Sequence, residues 1–206
     1  MHVAPQRRLS LGRWVATVAP AEAVGFAFPV LALALTSRAA PLLAWPVIAV
    51  AGGCEGALLG LAQWARWRDV LPHLPARRYV GATAAAAVLA WAIGMAPSSL
   101  MDLGAEPDWS RPTVWLAVAA AGVCLLLSIP VAQAWALRGH LDRPRAWIGW
   151  TLLAWVLALP WSFAASPFVD ESTPAWGLAL GFGVGGVLMA LTMALVSGAG
   201  ARRLAH

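Results

Sequence analysis

The chain has 206 residues, of which 61% are hydrophobic and only 11% charged, and its mean hydropathy is +0.73. Soluble domains need about a quarter of their residues charged to solvate the surface, so this composition excludes an ordinary water-soluble fold and points to a body embedded in lipid. The formal net charge of +5 is carried by arginine alone, because the chain contains no lysine.

Read at the ~20-residue length that crosses a ~30 Å hydrocarbon core, the sequence predicts six spans: residues 14–35, 42–64, 79–96, 113–137, 146–165 and 176–196. Span one holds Glu22 between Pro20 and Pro29. Span two holds Pro46, Glu55, Gln63 and a glycine series, Gly52, Gly56 and Gly60. Spans three to five are rich in Ala, Leu and Trp, with Gln133 near the end of span four, and span six opens with Gly177, Gly181 and Gly185. These runs are continuous, whereas barrel strands are ~10-residue segments alternating apolar with polar. The expected fold is therefore all-α, a single six-helix transmembrane domain covering residues 1–206, in which helices satisfy the backbone internally as lipid demands.

Arginine sets the expected orientation, since Lys and Arg near span ends are retained in the cytoplasm. Of the 14 arginines only Arg38 and Arg111 fall on one side of the spans, where Asp102, Glu106, Asp108, Asp170 and Glu171 also lie. The others, including Arg68, Arg77, Arg138 and Arg145, ring the opposite side. This predicts an inner-membrane protein with both termini cytoplasmic and a rim that meets anionic lipid headgroups. The arginines are dispersed over several short connections and form no patch suited to nucleic acid. The opening MHVAPQRRLSLGRW could introduce a cleaved secretory or twin-arginine signal, but the apolar run that follows is ~22 residues, longer than the 7 to 15 of a signal core, and carries Glu22. Trp14, Trp45, Trp64, Trp67, Trp109, Trp115, Trp135, Trp147, Trp161 and Trp176 fall near predicted interfaces, where indoles anchor spans.

An internal repeat emerges when residues of about 42–96 are laid over 113–165. Gln63 falls on Gln133, Gly52 on Gly122, Cys54 on Cys124 and Arg68 on Arg138. After a connection two residues shorter, Arg77 falls on Arg145, Tyr79 on Trp147, Gly81 on Gly149 and Thr83 on Thr151. Span six followed by span one reads as a degraded third copy, without a matching glutamine. The segments GALLGLAQWARWR and ARRYVGAT resemble a pattern, roughly G-x-x-x-G-x-x-Q-W-x-x-L-R then R-x-W-x-x-A-T, of small uncharacterised multi-spanning bacterial membrane proteins. The chain departs from it at Trp67 for leucine, at Ala134 for tryptophan, and at Pro130 where Gly60 stands in the first copy. The resemblance implies a bacterial polytopic protein and supplies no activity.

Glycines four apart line one helix face. The series at 52, 56 and 60 and at 177, 181 and 185 are thus expected to be packing seams, within the bundle or between protomers, where close approach replaces the hydrophobic drive that lipid cannot provide. Gln63 and Gln133 are expected to act as polar glue between helices. Glu22 and Glu55 do not fit a purely apolar account. At 1.5 Å per residue, Glu22 lies ~14 Å beyond Arg13 and Glu55 ~17 Å from Arg66, which puts both near mid-membrane, where ionisable groups are costly and mark functional sites. Leu125 replaces Glu55 in the second copy, so the symmetric scaffold does not require it. A carboxyl pair sharing a proton or holding a cation is one reading; separately hydrogen-bonded structural glutamates are the other.

No cofactor is expected. His2, His73, His140 and His206 all lie outside the spans, Cys54 and Cys124 form no C-x-x-C and read as small packing residues, and no motif for metal or nucleotide binding occurs. Ser98, Ser99, Asp102 and Asp108 lack a base at helical spacing, so no catalytic set can be assembled and an enzyme is the least supported class. A structural or interaction component of a bacterial inner membrane accounts for most residues, perhaps oligomeric or bound to another membrane protein. The alternative is a small proton- or cation-linked transporter using Glu22 and Glu55.

Overall fold

In the computed structural model, residues 8–36, 41–164 and 174–205 are described. They form six helices: α1 (Leu11–Thr36), α2 (Pro41–Trp67), α3 (Ala76–Asp102), α4 (Pro112–Ala136), α5 (Pro144–Phe163) and α6 (Ala175–Leu204). No strand occurs among the described residues, and all six helices are long and apolar enough to cross a membrane. The chain is a multi-pass integral membrane protein. Arg38, Asp170 and Glu171, expected on the acidic side, lie outside the described residues.

Proline and arginine set the helix starts. Helices α2, α4 and α5 begin on Pro41, Pro112 and Pro144, while α3 and α6 follow Pro75 and Pro174. Proline suits the first turn because its fixed φ is helical and its missing N–H would have no partner there. The helices outrun the predicted spans: α3 continues through Pro97 to Asp102, and α6 carries Arg202 and Arg203 inside its last turn. An apolar window ends where charge begins, but the hydrogen-bond ladder does not. Helix α1 remains continuous through Pro20 and Pro29, and α2 through Pro46.

Each helix packs mainly on its neighbours in sequence, and α1 against α6 closes the ring. The α2/α3 seam is the tightest, and glycine makes it so. A Cβ at Gly52 would strike the Trp91 ring, one at Gly53 the Val88 side chain, one at Gly56 would meet Ala87 and come 2.9 Å from the Thr83 carbonyl oxygen, and one at Gly60 would lie 3.0 Å from Thr83. The glycine stripe of α2 is therefore an internal seam. On α6, Gly185 backs onto the Trp161 carbonyl of α5, Gly198 onto Trp14 and Gly200 onto Trp150, whereas Gly177 and Gly181 are only half-buried. The working seam of α6 runs from Gly185 toward its C-terminus instead of along the expected triplet.

Burial concentrates at the arginine-bearing end. In α4 only the stretch from Ile129 onward is buried, and Leu116, Val118 and Val123 face outward. Trp14, Trp67 and Trp147, expected as interface anchors, are wholly buried and meet edge-to-face at 5.2–6.0 Å between ring centroids. Three large rings fill the axis of the bundle where helices cannot close on small residues alone. Trp109, Trp115, Trp135, Trp161 and Trp176 are exposed, in keeping with the anchoring role. Cys54 and Cys124 face outward from the bundle, so they do not pack within it; each sits about half a turn from the centre of its helix's buried face.

Candidate functional site

Two polar clusters sit inside the bundle. The first surrounds the two glutamines. Gln133 Nε2 donates to Gln63 Oε1 at 2.8 Å and to Thr83 Oγ1 at 3.2 Å, while Gln133 Oε1 accepts from Trp147 Nε1 at 2.9 Å. Gln63 Oε1 also accepts from the Tyr79 hydroxyl at 3.0 Å. One amide thereby joins α4 to α2, α3 and α5. Beside it, Trp14 Nε1 donates to Ser197 Oγ at 3.1 Å and ties α1 to α6. Every one of these side chains is fully buried. Gln63 Nε2 and the Thr151 hydroxyl have no protein partner, so Gln63 works through its oxygen.

The second cluster lies eight residues along α1 from Trp14 and eight back along α2 from Gln63, about 12 Å deeper. The buried face of α1 reads Trp14, Val18, Glu22, Gly25, Pro29. Gly25 brings α1 against the backbone of α2, since a Cβ there would stand 3.2 Å from both Cα and Cγ of Glu55. This contact makes the buried Glu22 and Glu55 neighbours across the α1/α2 seam. Glu22 is 0% exposed and Glu55 5%. Trp91 Nε1 of α3 donates to Glu55 Oε2, and the Trp91 ring leans on Phe26 of α1, with ring centroids 6.2 Å apart. Neither Glu22 oxygen receives a hydrogen bond from any amide, hydroxyl or indole. Two ionised carboxylates are both acceptors and cannot bond one another; with one proton between them, they can. Paired oxygens alone are a poor metal site, because hard divalent cations take six or more oxygens. Among the described residues no three His, Cys, Asp or Glu side chains come together to supply them.

Sequence reasoning singled out both glutamates and both glutamines, and the structure brings each pair together. It missed Trp91, whose signal was its place far from either interface, where an indole N–H needs a buried acceptor. It also missed Gly25, one turn from Glu22. Of the expected rim residues, Arg68 stacks over Trp64 at 5.2 Å, and Arg77, Arg138 and Arg145 are exposed. The better-anchored arginines are Arg78, over Trp135 at 4.8 Å and bonded to the Trp135 carbonyl oxygen at 2.8 Å, and Arg203, over Trp150 at 5.0 Å. At the opposite end Asp108 is held below the usual carboxylate range by the Ser110 hydroxyl and amide, with help from Arg111 at 2.9 Å. Compared with known proteins, the chain matches no family model, no curated protein and no solved structure.

The glutamine layer makes a measurable prediction. Gln133→Ala strands the Trp147 indole N–H, while the Thr83 hydroxyl keeps its bond to the Tyr79 carbonyl oxygen, and is expected to cost about 1–3 kcal/mol in detergent unfolding. A Gln63→Ala, Gln133→Ala double-mutant cycle should return a coupling of roughly 0.6–1.7 kcal/mol, the range of interhelical bonds in lipid; strict additivity would show that the bond does not bear on stability.

Proposed function

We propose that this is a proton-linked membrane protein, a small transporter of a bacterial inner membrane, whose proton is held between Glu22 and Glu55. The observation that carries the reading is Glu22: wholly buried, with no hydrogen-bond donor for either oxygen, on the face of α1 that Gly25 packs against Glu55. An acid placed so deep is costly unless it is used. Trp91 fixes Glu55 and leaves Glu22 to exchange the proton. A proton suits the donor set better than a divalent cation does. A second reading, a structural or interaction component, is supported by how many side chains the glutamine layer commits to internal packing. It leaves Glu22 unexplained. Neither reading invokes catalysis.

We also propose that the chain arose by duplication of a two-helix hairpin. In each proposed copy the glutamine oxygen accepts from the aromatic residue that begins the next helix, Tyr79 for Gln63 and Trp147 for Gln133. Ser197 accepting from Trp14 makes the corresponding contact in a copy split between α6 and α1. The arginine-bearing end is taken as cytoplasmic by the positive-inside rule. Alkaline phosphatase fused at the C-terminus should then be inactive, while a fluorescent protein fused there should fluoresce; the reverse pattern would invert the orientation.

A hydrophobic carbodiimide modifies protonated carboxyls within lipid and needs no knowledge of the cargo. Glu22 or Glu55 should be labelled, with labelling that rises as pH falls through neutrality and disappears in Glu22→Gln, Glu55→Gln protein. Labelling that ignores pH, or none, would favour the structural reading.

A further inference from the structure

Outside the bundle core, one cleft gathers an excess of positive charge. It has a volume of about 380 Å³ and is lined by Arg8, Leu9, Ser10, Arg13, Arg66 and Asp69. The lining comes from two places in sequence: the segment that leads into α1, and the end of α2 with the turn after it. Three guanidinium groups face one carboxylate. That carboxylate is partly engaged, since Asp69 meets Arg66 Nη1 at 3.5 Å with both side chains partly exposed. The contact does not use Arg66 up, because its Nε is buried without an acceptor. Arg8 and Arg13 are exposed and no ion pair is formed by either among the described residues. Elsewhere on the same rim Arg68, Arg78 and Arg203 lie over tryptophan faces. Among the described residues the cleft arginines have no such platform. The Ser10 hydroxyl accepts from the Arg13 amide at 3.5 Å and keeps its own proton to donate.

We propose that this cleft binds a phosphate group. The chemistry fits in kind and in place. Guanidinium presents planar paired donors that match phosphate oxygens, and the excess of two positive charges requires an anion of similar charge. The cleft also lies at the level of the arginine rim, where a bilayer would carry its headgroups. A volume of this size admits a phosphate with its ester substituent, more than a bare carboxylate requires. Two sources supply this chemistry, an anionic phospholipid headgroup and soluble phosphate, and recognition by Arg8, Arg13 and Arg66 is the same for both. The inference is independent of the glutamate pair.

The test uses the full chain in nanodiscs, with an Arg13→Ala, Arg66→Ala variant set against Arg138→Ala, Arg145→Ala. Both variants lose two positive charges from the same rim, but only the first loses them from the cleft, and all four side chains are at least partly exposed. Native mass spectrometry would count retained phosphatidylglycerol against phosphatidylcholine, and inorganic phosphate would be titrated into phosphatidylcholine discs. Lipid retention that falls roughly thirtyfold in the cleft variant, as two surface arginines imply, and by far less in the rim variant supports a headgroup site. Saturable binding of inorganic phosphate that is lost only in the cleft variant supports a soluble-phosphate site. Equal losses in both variants, or no loss in either, would overturn the proposal, because attraction would then belong to the rim as a whole or be absent.

Discussion

The Gln133 amide is the constraint on which the bundle depends. In lipid there is no water to satisfy an unpaired amide, so a glutamine within a span must find its partners in protein. Gln133 finds them on α2, α3 and α5 together. Only one set of rotations about the helix axes meets that condition, and the remaining packing follows from it. The bond to Gln63 fixes the depth of α2 against α4. The α2 glycines then face α3, and Trp14, Trp67 and Trp147 are left to fill the axis. Apolar contact alone would hold these helices together in many registers; the amides select one.

The same requirement gives the deeper pair its meaning. Where the glutamine layer has donors to spare, with Gln63 Nε2 unpartnered, the glutamate site supplies carboxyl oxygens and a single indole donor. The deficit is one proton. Keeping an acid in α2, and placing Gly25 so that a second acid can reach it, is a departure from economical packing that a proton-carrying role explains.

Much of this was legible in the sequence because the bilayer imposes one-dimensional rules. Span number and helical class followed from apolar runs, and the polar role of Gln63 and Gln133 from the rarity of amides within spans. What was lost, including the pairing of Gln63 with Gln133, depended on the third dimension. Trp14, Trp67 and Trp147 sit beside arginines in sequence, which is also where interface anchors sit, and only the convergence of α1, α2 and α5 shows that they turn inward. Cys54 adjoins Glu55, yet one residue of rotation carries it to the outer surface. Helix ends were misjudged where α3 and α6 carry their ladders past the apolar window into charged sequence. Trp91 was passed over because indoles were read as markers of the interface, when its depth made it a partner for a buried acid.

The central claim is that one proton lies between Glu22 and Glu55, and infrared spectroscopy of the purified protein in lipid reads it directly. At neutral pH the wild-type protein should show the carbonyl band of a buried protonated carboxyl, shifted in deuterated buffer and lost in the Glu22→Gln, Glu55→Gln variant. A wild-type spectrum without that band would mean that both carboxyls are ionised and would contradict the account.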